Sequence, residues 1–308
     1  MPSLLFQLAY TGSAPFRRRR VCHDVPEPSN LLASRALRTH RMHRANWRLQ
    51  VRDVKTPRWS GISKAFGVKA EAIAVPKPAR SVPEASADAR RALRILLDRR
   101  REGKVVADEM SRITVTMPVP RPGGAAEEPL VLMDDVNFPG GIRQVFRELR
   151  PSVEALLEGR KLEFCGMLEA EADGLGVFKA DPDLCAVTLV GDINVAPFLR
   201  LLKGEFGSSP LTGIVIAVNP WWTQSSAIGN PWQTGLRRDA ARLLDDGGWK
   251  PLYYLEAVSS KSDMVEGSLL FCYPYTQWMV YDIAGHLLGE FDNKPAGVKV
   301  LELLLASK

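Results

Sequence analysis

The stretch LTGIVIAVNPWW, residues 211–222, sets the fold class. Ile214–Val218 is an unbroken apolar run. Asn219-Pro220 ends it, because proline carries no N–H for a strand ladder and fixes its own φ. A short apolar run bounded by turn residues reads as a strand buried on both faces. A parallel sheet lying between helix layers makes that demand. Residues 186–190, AVTLV, form a second run of this kind.

The pattern extends outward from these two strands. Ala85, Ala89, Ala92, Leu93, Leu96 and Leu97 recur at helical spacing and predict a helix over 84–101, ended by Gly103. Residues 113–119 alternate apolar and polar side chains and predict a strand, closed by Pro118 and Pro120. The loop 120–129 leads to a short strand or turn at 130–133. A helix is expected over 141–158, with Ile142, Val145, Phe146, Leu149, Val153 and Leu156 on one face and Pro151 kinking or splitting it. A strand at 161–168 follows. Next comes a helix at 193–203, with Asp192 or Asn194 as its N-cap. A helix at 235–244 and a strand at 252–255 lead to a hairpin pair, 269–273 and 277–282, around Pro274. The last helix is Gly297–Ala306, with Val298, Leu301, Leu304 and Leu305 facing inward. Short buried strands alternating with helices imply an α/β fold. The expected architecture is a mostly parallel, mixed sheet with helices on both faces and a C-terminal antiparallel hairpin.

Charge divides the chain. The net charge is +6, yet residues 1–60 hold twelve basic against three acidic residues, a balance of +9, which leaves −3 on the other 248. The chain-wide basicity is therefore no argument for nucleic-acid binding by the remainder. Arg17–Arg20 form a run, and Arg35, Arg38, Arg41, Arg44 and Arg48 recur every three or four residues. A basic, acid-poor, amphipathic segment of this kind reads as an organelle transit segment over 1–60. A linker at 61–83 and a single α/β domain at 84–308 follow from that division. No apolar stretch approaches the roughly 18 residues of a transmembrane helix. Peripheral membrane contact stays open.

Few residues are available for familiar chemistry. Three of the four histidines (His23, His40, His43) fall in the basic segment, leaving His286 in a turn-like IAGHLLG sequence. Cys165, Cys185 and Cys272 lie in strand-like runs without CxxC spacing and read as buried, reduced thiols. There is no GxxxxGK[ST], no GxSxG and no HExxH. The paired carboxylates at Asp134-Asp135 and Asp245-Asp246 read as solvated charges. Neither a cofactor nor a metal is expected.

Two kinds of candidate site remain. Ligands of open α/β sheets collect beyond the carboxyl ends of strands. Asp192 and Asn219 follow the two buried runs, and Glu256 follows a third strand. Each has a bland alternative, a helix cap for Asp192 and a turn cap for Asn219. The other candidate is NPWWTQSSAIGNPWQTG, 219–235, where Asn-Pro-Trp occurs twice. Trp221, Trp222, Trp232 and the adjoining Gln233 read either as partner-contacting groups or as rings that plug the rim of the core. A second aromatic cluster, YPYTQWMVY at 273–281, is positioned to pack against the first.

From about Pro83 onward an ordered series of segments carries a resemblance. It runs PEASADARRALRILLDRRREGK, ITVTMPVP, GGIRQVFRELRP, a strand ending in VNP, WQTGLRRDAA, WKPLYYLE and EGSLLFCYPYTQWMVYD. This series resembles the plastid family described as a domain of unknown function (number 1995). The resemblance implies an α/β domain in chloroplasts of plants and algae, in the stroma or at the thylakoid surface, with the mitochondrion as the other destination the leader suits. Some members are similar to assembly factors whose loss lowers photosystem II accumulation. Others form the C-terminal part of a chloroplast adenylate kinase. The phosphate loop of that kinase is missing here, so kinase activity does not carry over. The expected function is a non-catalytic auxiliary or assembly factor with a protein partner, a thylakoid or photosystem subunit, and no nucleic acid. The alternative is a nucleotide- or phosphometabolite-binding enzyme using the crevice at the strand ends.

Overall fold

The computed structural model describes residues 74–105, 110–123, 138–168, 174–181, 183–205, 213–230, 232–260 and 263–308. The expected leader, residues 61–73 of the linker, and the strand or turn at 130–133 lie outside them.

Among the described residues nine strands make one mixed sheet. They are β1 (Arg112–Thr116), β2 (Leu162–Met167), β3 (Gly176–Ala180), β4 (Leu184–Thr188), β5 (Ile214–Val218), β6 (Lys250–Ser260), β7 (Val265–Cys272), β8 (Trp278–Asp282) and β9 (Leu287–Phe291). Their order is β2-β3-β4-β5-β1-β6-β7-β8-β9. The four central strands, β4, β5, β1 and β6, run parallel. Antiparallel pairs flank them, β2–β3–β4 on one side and β6–β7–β8–β9 on the other. β4 and β5 are buried throughout, β4 with its one polar residue Thr188. β4 spans Leu184–Thr188 where the sequence predicts 186–190, because the chain turns at Leu189 (φ 54°).

Helices cover both faces, unequally. α1 (Val82–Arg101) and α2 (Gly141–Leu156) share one face. There Ala85, Ala89, Leu93, Leu96, Leu149 and Val153 pack on Ile113, Val115, Phe178, Ala186, Ile216, Leu252 and Met279 in a single core. On the other face the core is split. α3 (Val195–Leu202) and α4 (Thr234–Ala240, continued by a π turn, Ala241–Asp245) cover Val177, Val187, Val215 and Ala217. α5 (Gly297–Ala306) covers Leu269, Phe271 and Val280 with Val300 and Leu304. The central strand β1 lies between these two helix groups. Its Thr114 and Thr116 belong to neither core.

Several local expectations change. Ser81 caps α1, its Oγ accepting the Glu84 N–H at 3.4 Å, so the helix starts inside the expected linker. α2 is not split at Pro151: Phe146 and Leu149 before it and Val153 and Leu156 after it are anchored in the same core. Neither Asp192 nor Asn194 caps α3 through its side chain. Asn194 turns backward, accepting the Gly191 N–H (2.7 Å) and donating to the Leu189 carbonyl (3.0 Å). On α5 Val300 and Leu304 are buried and Leu301 packs beside them, whereas Val298 and Leu305 are exposed. Cys165 is exposed on edge strand β2, whose second face carries no helix-core residue; only Cys185 is fully buried.

Candidate functional site

The split of the second face opens a cleft of about 260 Å³ over the middle of the sheet. Thr114 and Thr116 form its floor. Trp222, Trp249 and Pro220 stand on one side, and Tyr254, Trp278, Lys294 and Asp292 on the other, with Pro251 between. Each wall is the edge of one helix-covered core. The two tryptophan-bearing segments of the sequence therefore meet as opposite walls of one cleft.

The floor follows from a strand whose pattern is unusual for its position. A central parallel strand covered on both faces reads as continuously apolar. β1 instead alternates Ile113, Val115 and Met117, all buried, with Thr114 and Thr116, half-exposed. Neither threonine hydroxyl has a hydrogen-bond partner among the described residues. Both are free to bond a ligand.

A β-bulge aims the second wall. Thr114 pairs with Pro251 and Val115 with Tyr253, so β6 carries one extra residue at this point. Proline lacks the donor that the ladder needs, and bulges are where strands accommodate it. Side chains alternate with a period of two, so a regular strand would put Pro251 and Tyr254 on opposite faces. With the bulge, Leu252 and Tyr253 both enter the α1–α2 core, and Pro251 and Tyr254 both face the cleft.

Aromatic packing holds both walls. Trp222 stacks on Phe198 of α3 (6.0 Å between centroids) and meets Trp249 edge-on (5.2 Å). The Trp249 indole N–H donates to the Leu243 carbonyl at 2.8 Å. Across the cleft Tyr254 meets Trp278 edge-on at 5.1 Å, and Phe271 lies behind Trp278 at 5.2 Å. Such pairs contribute about 0.5–1.5 kcal/mol each beyond their buried area.

Lys294 is the cation of the cleft. Its Nζ lies 4.1 Å from the Tyr254 ring centroid and 5.8 Å from that of Trp278. It donates to Tyr254 Oη at 2.6 Å and lies 3.8 Å from Glu256 Oε2. Tyr254 Oη in turn donates to Glu256 Oε2. The side chain keeps 42% of its surface in water, yet its ammonium end is crowded by rings. Desolvation lowers the Lys294 pKa, with Glu256 opposing. Burial, then Glu256, raises that of Tyr254.

The residues expected at the strand ends are engaged with their own chain. Asn219, buried at φ 48°, accepts the Met117 N–H through Oδ1 and donates to the Met117 carbonyl through Nδ2, both at 2.8 Å. It clamps β5 to β1. Asp192 accepts the Thr223 N–H (2.7 Å) and its hydroxyl (2.8 Å), pinning the loop after β5. Trp221 lies flat over Gly191, where an added Cβ would meet its ring at 2.0 Å. Of the expected site residues, Trp222 lines the cleft and Glu256 supports it through Tyr254 and Lys294. Trp232, 75% exposed, does not line it. Gln233 closes its own turn, accepting the Asn230 N–H at 2.8 Å. Thr114, Thr116, Trp249, Tyr254, Asp292 and Lys294 are site residues that the motif reading passed over, whereas Trp278 belongs to the second aromatic cluster. The signal for them was the Ile-Thr-Val-Thr alternation in a strand that turns out to be central.

Among the described residues, no group of three or more His, Cys, Asp or Glu is placed to hold a metal ion. None of their helices is long and apolar enough to cross a membrane. Residues 80–302 match the family described as Domain of unknown function (DUF1995). No curated protein and no solved structure matches the chain.

Proposed function

From the premise that the chain belongs to the DUF1995 family, we propose that it is a non-catalytic binding protein that seats a protein partner in the aromatic cleft over β1. The observation that carries this reading is the cleft's composition. Four tryptophan and tyrosine rings surround two hydroxyls that have no partner among the described residues. Large aromatic side chains at the rim of a desolvated pocket are where interface energy concentrates. The family resemblance supplies the setting: a plastid auxiliary or assembly factor, in the stroma or at the thylakoid surface, whose client is a photosystem subunit.

The alternative, an enzyme taking a nucleotide or phosphometabolite at the strand ends, draws its polar groups from Asp192, Asn219 and Glu256. Asp192 is spent on Thr223, Asn219 on Met117 and Glu256 on Tyr254 and Lys294. No observation favours it over the cleft.

The test is affinity capture from chloroplasts with the wild-type chain and with Thr116→Arg. Thr116 is half-exposed, so arginine fills the cleft without entering a core. Thylakoid subunits captured by the wild type and lost with Thr116→Arg, at unchanged circular dichroism, are the expected result. The same partners on both proteins would refute the cleft as the binding surface.

A further inference from the structure

We propose that Lys294 is a nucleophilic lysine that captures carbonyl compounds reversibly, as an imine, with an aromatic aldehyde as the preferred class. This rests on the geometry of the cleft and stands whether or not a protein partner docks there.

Three features converge on the Nζ atom. It sits at the edge of the cleft against the Tyr254 and Trp278 rings. The rings exclude water there, which disfavours the charged ammonium and is one way proteins activate lysine, while their π faces and Glu256 favour the cation. Second, Nζ is held in a fixed direction. It donates to Tyr254 Oη at 2.6 Å, and that hydroxyl donates onward to Glu256. Tyr254 thus accepts from the amine and gives its own proton to the carboxylate, so the lone pair of the neutral amine stays available. Third, the opposite wall is Trp222 and Trp249, two planar rings against which an aromatic aldehyde can stack. The floor hydroxyls of Thr114 and Thr116 are free to bond the carbonyl oxygen.

The step balances without a redox partner. The amine lone pair adds to the carbonyl carbon, and one N–H proton moves to the carbonyl oxygen. The second N–H proton then leaves with that oxygen as water while the C=N bond forms. Amine and aldehyde give imine and water. The titratable groups facing Nζ are Tyr254 and Glu256 on β6 and Asp292 on its own loop. Desolvation favours the neutral amine, and the Glu256 carboxylate opposes it.

The experiment treats the full chain at neutral pH with benzaldehyde and sodium cyanoborohydride, which fixes an imine as a stable amine. Intact mass and peptide mapping are then read against time. The first adduct is expected on Lys294, ahead of the exposed Lys299, and is lost in Lys294→Arg and in the urea-unfolded wild type as a site preference. Tyr254→Phe keeps the ring and removes the hydroxyl, so it slows labelling at Lys294 alone. Propanal, which cannot stack, shows a weaker preference for the site. Labelling of Lys294 no faster than Lys299 in the native chain overturns the proposal, as does an equal preference for Lys294 in urea.

Discussion

At the scale of single residues, side chains that look like ligand-binding groups hold the frame on which the cleft is built. Asn219 is the clearest case. It occupies a left-handed backbone position, which asparagine tolerates better than most residues, and satisfies both polar groups of Met117. Asn219→Ala leaves that N–H and C=O without their side-chain partner and puts at φ 48° a residue that tolerates the left-handed region less well than asparagine. A loss of about 2–6 kcal/mol follows from two unsatisfied buried groups at about 1–3 kcal/mol each. A urea unfolding curve measures it, and the midpoint should fall at unchanged slope. The sequence marked Asn219 as either a ligand group or a turn cap, since an Asn-Pro step after a strand suits both. Pairing across the sheet decided between them, and pairing with a residue 102 positions away is not written locally.

At the scale of elements, the local signals were strong where one face repeats and weak where a strand is short or its partner distant. The helical spacing of Ala85 to Leu97 gave α1, and the apolar runs gave β4 and β5. β3 (GVFKA) and β9 (LLGEF) went unread. The first is apolar without alternation next to a Gly-rich segment, and the second sits among glycine and charge. The β6 bulge could not be read at all, because a single extra residue shows only against its partner strand. The β8–β9 turn yields a prediction of its own. The Asp282 carboxylate accepts the His286 N–H (2.8 Å) and lies 2.9 Å from its Nδ1. These bonds hold its carboxyl below the usual aspartate range, the backbone N–H foremost. The unfolded chain therefore binds the proton more tightly, and stability from this turn rises with pH. It is fully present above the ordinary aspartate value of about 3.9 and is lost as pH falls through the lower folded value. Comparing the wild type with Asp282→Asn by urea unfolding from about pH 6 down to pH 2 checks the sign. The gap between them should close on acidification.

At the scale of the molecule, a helix layer that is continuous on one face and broken on the other makes the site. A sheet of nine strands is wider than the helices α3, α4 and α5 can cover, and they settle over its two sides. The gap falls on β1, whose threonines make it tolerable. The α/β class and the helices on both faces were legible from hydrophobic periodicity. The cleft was not, because it depends on strand order, and β1, the first of the described strands, lies in the middle of the sheet. The same architecture separates the thiols. Burial pushes Cys185 and Cys272 up to about 12, while Cys165 stands exposed on β2. Iodoacetamide at neutral pH should therefore modify Cys165 in the native chain and reach Cys185 and Cys272 only on unfolding, as peptide mass mapping will show.

The claim that the face over β1 is the working surface is tested most directly by site-specific photocrosslinking in chloroplast extract. Benzoylphenylalanine is placed at Asp292, on the cleft rim, and in a second protein at Trp232, the most exposed tryptophan of the Asn-Pro-Trp loop. A discrete crosslinked partner from position 292, absent from position 232 and competed away by unlabelled wild type but not by Thr116→Arg, is the predicted outcome. A partner captured from position 232 and not from 292 would contradict it, moving the binding surface to the exposed loop.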